Sequence, residues 1–141
     1  MKKNVKIKLL SKQFDGENND EIELMTNGTF MHGTKKSVIS YDETEATGFE
    51  GSKTTLYLNS EKLITLVRSG EVSSRLIIEL GKKHHCHYET PYGVFNVGVT
   101  AKSIESTINE NGGKLFFSYV IDVNSSYVGD FEISLDIDPI N

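Results

Sequence analysis

Hydrophobic and polar residues alternate along most of this chain with a period of two residues. Near the start, Val5, Ile7 and Leu9 alternate with lysines, and between residues 127 and 137 apolar residues alternate with acidic and small polar ones. Because successive side chains of a β-strand point to opposite faces, this period indicates strands with one buried and one solvated face. The pattern therefore predicts a protein made almost entirely of β-strands.

Ten segments have this strand character, and short turn signals rich in Gly, Asn, Asp and Ser separate most of them. They are residues 5–9, 22–30, 37–44, 53–58, 62–68, 74–80, 84–90, 92–99, 115–123 and 127–137. Gly28 lies inside the second segment, which indicates a bulge or a close backbone approach. Pro91 cannot donate to a ladder, so we expect a strand end, a bulge or an edge there.

Residues 102–110 are the one ambiguous stretch. Ile104 and Ile108 are spaced as on a helix face, but Ser103 and Thr107 are indifferent helix formers. We therefore expect an irregular or extended run.

Closely spaced strands with frequent turns predict a sandwich or a barrel. Consecutive hairpin links favour an up-and-down meander, and closing such a sheet removes its exposed edges. The fold class is therefore all-β: a single domain over residues 1–141, forming a closed or nearly closed antiparallel barrel of about 8–10 strands. A barrel of this size either fills its interior with side chains or holds one small ligand.

Composition narrows the function classes. The chain has 141 residues, 37% hydrophobic and 25% charged, which fits one globular domain. Its one cysteine, Cys86, cannot form an internal disulfide, and no apolar run resembles a signal peptide or a membrane span. We therefore expect a cytoplasmic protein with no membrane partner. The net charge of −5 argues against nucleic-acid binding.

Charge is distributed unevenly between the two ends of the chain. Residues 1–13 contain five lysines and no acid, whereas residues 114–141 contain five acids and one lysine. If the terminal strands lie side by side, their solvated faces attract each other.

Five short pieces, kept in order and spacing over nearly the whole chain, resemble one known family. They are Gly28–Phe30, Ile39–Glu43, Val67–Gly70, Tyr88–Gly93 and Gly112–Leu115. The chain is similar to the domain of unknown function 1934 family, the YwiB-like proteins of Gram-positive bacteria. The resemblance implies a calycin-like β-barrel of the broad lipocalin grouping. It implies no activity and no site residues, because the family has no established function.

Metal-ligand chemistry is concentrated in His84-His85-Cys86-His87. On a strand, His85 and His87 project to one face about 7 Å apart, near enough to chelate one ion, while His84 and Cys86 point the other way. The alternative is a solvated strand end. We name His85 and His87 as the candidate metal ligands.

Arg68 follows Ile64 and Leu66 at even spacing and so shares their face unless a bulge intervenes. If that face is the barrel interior, Arg68 is a buried cation that needs a carboxylate, and Glu43, Glu45 or Glu89 can supply one. An inward arginine can anchor a ligand carboxylate or phosphate. The alternatives are a solvated strand end or a purely structural ion pair.

Several aromatic residues either line a cavity or fill the core. They are Tyr41, Tyr57, Tyr92, Tyr119, Phe95 and Phe117. Our candidate ligand-binding residues are Arg68, Tyr41, Glu43, Tyr92 and Tyr119. Asp42, Glu43 and Glu45 form an acidic patch in which only Glu43 and Glu45 share a face, so we favour a solvated or charge-paired surface over acid–base chemistry.

Three function classes follow. The first is a barrel that binds a small apolar or anionic molecule in or at the mouth of its lumen, with no cofactor. The second is a non-catalytic interaction module with a filled core, acting through its surface or as a homodimer. The third and weakest is an enzyme, which a pocket joining Arg68, a glutamate and a tyrosine would support.

Overall fold

A computed structural model describes residues 2–43, 51–70, 73–90 and 93–140. Within these ranges the chain forms ten β-strands, and no helix is long and apolar enough to cross a membrane. The strands are β1 (Lys2–Phe14), β2 (Asn19–His32), β3 (Ser37–Asp42), β4 (Lys53–Ser60), β5 (Leu63–Ser69), β6 (Ser74–Glu79), β7 (Lys83–Thr90), β8 (Gly93–Ser106), β9 (Gly113–Val123) and β10 (Ser126–Pro139).

The ten strands form one closed antiparallel barrel. Each strand pairs with its neighbour in sequence, and β1 pairs with β10 to close the sheet. The predicted all-β, up-and-down barrel is therefore confirmed. Closure follows from the alternating pattern, because ten strands with one apolar face each bury those faces against one another around a common interior.

The basic first strand lies between two acidic ones. Lys12 is the cross-strand partner of Glu132 on β10 and of Glu21 on β2, and Lys8 is opposite Asp136. The terminal strands thus lie side by side with opposite charges facing each other, as the expected attraction requires. Exposed cross-strand pairs of opposite charge contribute about 0.2–1 kcal/mol each, so this charge pattern is a modest aid to closing the barrel.

One half of the interior is filled with side chains. It is the half near the β2–β3, β4–β5 and β6–β7 turns. Fully buried residues there include Phe30, Ile39, Leu56, Ile64 and Ile78. These positions follow the period-two pattern of their strands, so the alternation in sequence becomes an alternation between interior and surface. This packed half forms a floor for the other half of the barrel.

Gly28 allows a close approach between strands. Its place inside a strand indicated either such an approach or a bulge. A Cβ atom there would meet the Ser40 carbonyl oxygen and would lie 2.7 Å from Ile7 Cδ1. The registers of β2 with β1 and β3 show no shift at this point. The second strand is therefore continuous, and the missing side chain makes room for its neighbours.

The ambiguous stretch after residue 101 is extended, as expected, and then turns. β8 continues to Ser106 and pairs with β9 across a register shift between Ala101 and Ser103. Residues 107–112 form the turn into β9. The predicted strands were too short at their ends. For example, β1 runs to Phe14, and the polar loop occupies only residues 15–18. Pro91 lies outside the described residues.

Candidate functional site

The half of the barrel opposite the packed floor contains a cavity of about 480 Å³. Its wall is mainly apolar and includes several polar side chains. The lining residues are Leu9, Ser11, Gln13, Ile22, Tyr41, Glu43, Arg68, Leu76, Tyr88, Phe95, Val97, Tyr119, Ile121, Val123, Val128, Phe131 and Ile133. The volume lies within the range of about 300–1,000 Å³ typical of small-molecule sites.

A row of polar residues crosses five neighbouring strands beside this cavity. Tyr41 on β3 is the cross-strand partner of Thr54, Thr54 of Arg68, Arg68 of Ser74, and Ser74 of Tyr88 on β7. Direct partners in an antiparallel sheet project to the same face, so all five side chains share the interior face. The row places an arginine, two hydroxyl groups and two phenols along one wall.

Arg68 and Glu43 form an ion pair in this wall, with 3.8 Å between Arg68 Nε and Glu43 Oε1. Thr54 Oγ1 donates a hydrogen bond of 2.5 Å to the same Glu43 oxygen. The glutamate side chain is 2% exposed and the arginine side chain 13%. A buried carboxylate needs such partners, because desolvation would otherwise favour its neutral form. Thr54 and Arg68 therefore keep the carboxylate in place.

Two tyrosines at the site have raised pKa values. Burial is the main cause for both, since the phenolate would be desolvated. Tyr41 also neighbours Glu43, whose charge and hydrogen bond raise its pKa further. The pKa of Tyr119 is raised to about 12. Both phenols therefore stay protonated under physiological conditions and remain hydrogen-bond donors.

We expect the protein to lose stability as the pH rises above the ordinary tyrosine pKa of 10.0. The unfolded chain releases the Tyr119 proton there, whereas the folded chain holds it up to a pH of about 12, so ionisation favours unfolding. The loss reaches on the order of 2 kcal/mol across this window. Urea titrations at stepped pH measure it. Tyr119→Phe should reduce the decline and leave the part due to Tyr41, while Tyr57→Phe, outside the cavity, should leave the decline unchanged. Equal slopes in both variants would contradict the assignment.

Aromatic side chains of β9 and β10 form a further part of the wall. The rings of Tyr119 and Phe131 stack with centroids 5.2 Å apart, and Phe117 stacks on Tyr119 at 6.0 Å. Phe117 belongs to the packed floor, since it is fully buried and does not border the cavity. Tyr119 thus connects the floor to the cavity wall, which restricts its ring to one position.

The cavity reaches the surface at a rim of exposed apolar residues. This rim consists of Phe14, Val94, Phe95, Tyr127 and Val128, which are 41–63% exposed. Phe95 and Val128 belong to both the rim and the cavity lining. Tyr127 donates a hydrogen bond of 3.1 Å to the Phe14 carbonyl oxygen, which joins the β1 and β10 parts of the rim. An apolar molecule would therefore meet apolar surface before entering the barrel.

Four of the five candidate ligand-binding residues border this cavity. Tyr41, Glu43, Arg68 and Tyr119 lie together, although they come from three separate parts of the sequence. Tyr92 lies outside the described residues, as do the side chains of Glu45 and Glu89. Arg68 is therefore inward, with Glu43 as its partner. A ligand-binding role for these residues stays a prediction.

The histidine cluster lies away from the cavity lining. His85 and His87 are exposed, whereas Cys86 is buried on the other face of β7, as their spacing predicts. His84 Nε2 is 2.7 Å from Glu79 Oε1. Among the residues described, no three His, Cys, Asp or Glu side chains are grouped as metal ligands. The two-histidine site at His85 and His87 stays a prediction.

Comparison with known proteins agrees with this architecture. The pattern of a domain of unknown function (DUF1934) matches residues 7–135, which is most of the chain. The chain belongs to the DUF1934 family. A similar fold occurs in the crystal structure of the ywiB protein from Bacillus subtilis, with a TM-score of 0.85 and 21% sequence identity. The match covers 99% of this chain and 94% of that one. No curated protein matches this chain.

Sequence reasoning missed Tyr88 in the lining of this DUF1934 cavity, and it missed Thr54 and Ser74 in the polar row beside the cavity. Ser74 has the same parity as the buried Leu76 and Ile78, so its inward position was available from the sequence. The position of Ser74 beside Arg68 was not available from the sequence, because it depends on the register between β5 and β6. The same argument applies to Thr54 and Tyr88, which join the site through pairings between strands.

Proposed function

We propose that this DUF1934 protein binds a small, largely apolar molecule in the lumen of its barrel. The observation that carries the proposal is the 480 Å³ cavity, which reaches the surface at the apolar rim. A barrel of this kind can hold one small ligand, and apolar walls with a few polar groups suit such a ligand. The lipocalin-like grouping implied by the resemblance belongs to this proposal, as does a cytoplasmic location.

The contrast between the two halves of the interior supports this proposal. Large side chains such as Phe30 and Phe117 fill one half completely, so the fold is able to pack its core. An unfilled apolar space costs stability, by about 24 cal/mol per Å³ in measured core truncations. A filled core, which the interaction-module hypothesis requires, would not contain a cavity of this size.

Binding accounts for the polar wall better than catalysis does, although Arg68, Glu43 and Tyr41 converge there as an enzyme would require. Thr54 and Arg68 both engage the carboxylate of Glu43, and its side chain is almost fully buried. The raised pKa values of Tyr41 and Tyr119 make them donors of hydrogen bonds rather than bases. These groups hold a polar atom in place, which is the task of a binding site.

A neutral fluorescent probe, N-phenyl-1-naphthylamine, tests the proposal. We expect saturable binding with a blue-shifted emission, because the probe leaves water for an apolar lumen. Val123→Trp, which places a large ring in the cavity lining, should weaken binding at least about tenfold. Val120→Trp is the matched control, since Val120 lies on the same strand but outside the cavity lining.

Two results would count against lumen binding. One is the absence of saturable probe binding to the wild type. The other is equal binding to both variants, which would place the probe on the outer surface. Native mass spectrometry of the purified protein complements the titration, because a carrier barrel retains extra mass that is lost on denaturation.

The apolar rim favours self-association as a second candidate function. Its residues cluster at one end of the barrel and include aromatic side chains, which are common in protein interfaces. A homodimer formed there would cover the mouth of the cavity. Sedimentation equilibrium tests this, with Phe14→Ser combined with Tyr127→Ser expected to dissociate the dimer. A wild-type protein that is monomeric at all concentrations would exclude it.

A further inference from the structure

We propose that the molecule bound in the lumen carries an anionic oxygen head group, a carboxylate or a phosphate, held by Arg68, Ser74 and Tyr88. We call these three residues the head-group wall. They lie on β5, β6 and β7 as successive cross-strand partners. This inference rests on the proposed function and adds the chemical class and the orientation of the ligand.

The Ser74 hydroxyl is an independent sign of a missing partner. Ser74 is 6% exposed, and its Oγ atom has no hydrogen-bond partner in the part of the chain that the structure describes. A buried hydroxyl without a partner costs about 1–3 kcal/mol, so such groups are rare in native proteins. Its neighbours on either side, Arg68 and Tyr88, both border the cavity. A ligand atom accepting from Ser74 would therefore also lie near both of them.

The two partners of the ion pair in the wall are exposed to different degrees. The Arg68 side chain is 13% exposed, whereas that of Glu43 is 2% exposed. Glu43 accepts a hydrogen bond from Thr54 and faces Arg68, so it acts as a positioning residue for the guanidinium. The lumen therefore meets the cation more than the anion, and an oxyanion is the head group that such a surface attracts.

Hydroxyl groups around the head-group wall can donate hydrogen bonds to an oxyanion. Ser74, Tyr88 and Tyr119 bring hydroxyl groups, and burial keeps the Tyr119 phenol protonated by raising its pKa. A carboxylate or phosphate accepts several hydrogen bonds and donates none when ionised. A cationic head group would instead face the Arg68 guanidinium, which is more exposed than the Glu43 carboxylate. The exposed cation therefore selects against cations as well as favouring oxyanions.

The apolar lining surrounds the rest of the ligand. Phe95 is the cross-strand partner of Tyr88, and Val97, Ile121 and Val123 are further apolar residues of the cavity lining. The ligand is then an amphiphile with its head group at the head-group wall and its apolar tail against this lining. This arrangement buries both ends in matching surroundings.

Isothermal titration calorimetry with three ligands of one chain length tests the head group. Decanoate, decyl phosphate and neutral decanamide share the tail and differ at the head. We expect decanoate or decyl phosphate to bind at least about tenfold more tightly than decanamide, because charge-assisted hydrogen bonds differ from neutral ones by at least that factor. The preferred anion identifies the head group as a carboxylate or a phosphate ester.

Three variants assign the preference to the head-group wall. Arg68→Met should remove the preference for the anion, and Ser74→Ala should reduce it several-fold. Arg75→Met is the matched control, since Arg75 follows Ser74 on β6 but is exposed on the outer face. It removes the same charge and should leave all three affinities unchanged. We also expect Ser74→Ala to fold, because the hydroxyl it removes has no partner in the described part of the chain, so it keeps the test decisive if Arg68→Met does not fold.

The outcomes separate this inference from the proposed function. Decanamide binding as tightly as both anions, or an anion preference that survives Ser74→Ala and Arg68→Met unchanged, would overturn the head-group proposal while lumen binding stands. Binding of the neutral naphthylamine probe without binding of any decyl ligand would overturn it in the same way. Failure of the neutral probe to bind in the lumen would instead remove the proposed function, and the head-group inference with it.

Discussion

Glu43→Ala is expected to lower the free energy of unfolding by about 3 kcal/mol, since it removes one partner of a buried ion pair and leaves the other charge in place. Arg68 would keep its charge in a largely buried position, and Thr54 would lose its 2.5 Å hydrogen bond. Urea denaturation of both proteins measures the difference. Asp42→Ala is the control. Asp42 precedes Glu43 in the sequence and is exposed, so this substitution should lower the free energy of unfolding by less than about 0.5 kcal/mol.

A double-mutant cycle shows whether the pair itself carries this cost. Arg68→Met combined with Glu43→Met should be less destabilising than the sum of the two single changes, with a coupling of about 1–3 kcal/mol. The physical reason is that removing both charges leaves neither one buried alone. Strict additivity would mean that Glu43 stabilises the barrel through its other contacts, and that Arg68 is held by the strand rather than by its partner.

Gly28→Ala is expected to cost about 2 kcal/mol, which is within the range for overpacking a filled site. The new methyl group would meet the Ser40 carbonyl oxygen, a backbone atom that cannot rotate away, and would lie 3.2 Å from the Tyr41 Cβ atom. Because Tyr41 is the cross-strand partner of Gly28 and borders the cavity, relief of this contact would also shift the cavity wall. Thermal or urea unfolding measures the stability, and probe binding measures the shift.

Asn27→Ala is the matched control for this substitution. Asn27 precedes Gly28 on β2 and is exposed on the outer face, so its truncation should change stability by no more than about 0.5 kcal/mol. An unchanged midpoint for Gly28→Ala would show that β2 and β3 separate without cost at this point. The close approach would then be unimportant for the barrel.

The fold was accessible from the sequence because each strand contains its own signal. The alternation in β1 and β10 requires only that neighbouring side chains point to opposite faces. Closure was predictable as well, since consecutive hairpins leave only the terminal strands unpaired. The exact strand ends were less accessible. β1 and β8 extend several residues beyond the alternating region, and cross-strand hydrogen bonds decide where pairing stops.

The candidate site was accessible only in part. The spacing of Arg68 to Ile64 and Leu66 allowed an interior position without deciding it, and a carboxylate partner was expected only if the arginine was buried. The choice of Glu43 needed the structure, because it depends on how β3 and β4 align with β5. Thr54, Ser74 and Tyr88 entered the site for the same reason.

By itself, the sequence determined the class of fold and the apolar face of the clearly alternating strands, and it left open whether Arg68 is an inward cation. These properties are local, since they depend on the order of side chains along one strand. Only the tertiary structure decided which half of the interior is filled, where the cavity lies and which polar groups meet in its wall. Those properties depend on register and on the summed volume of side chains from several strands, and no single stretch of sequence contains either quantity.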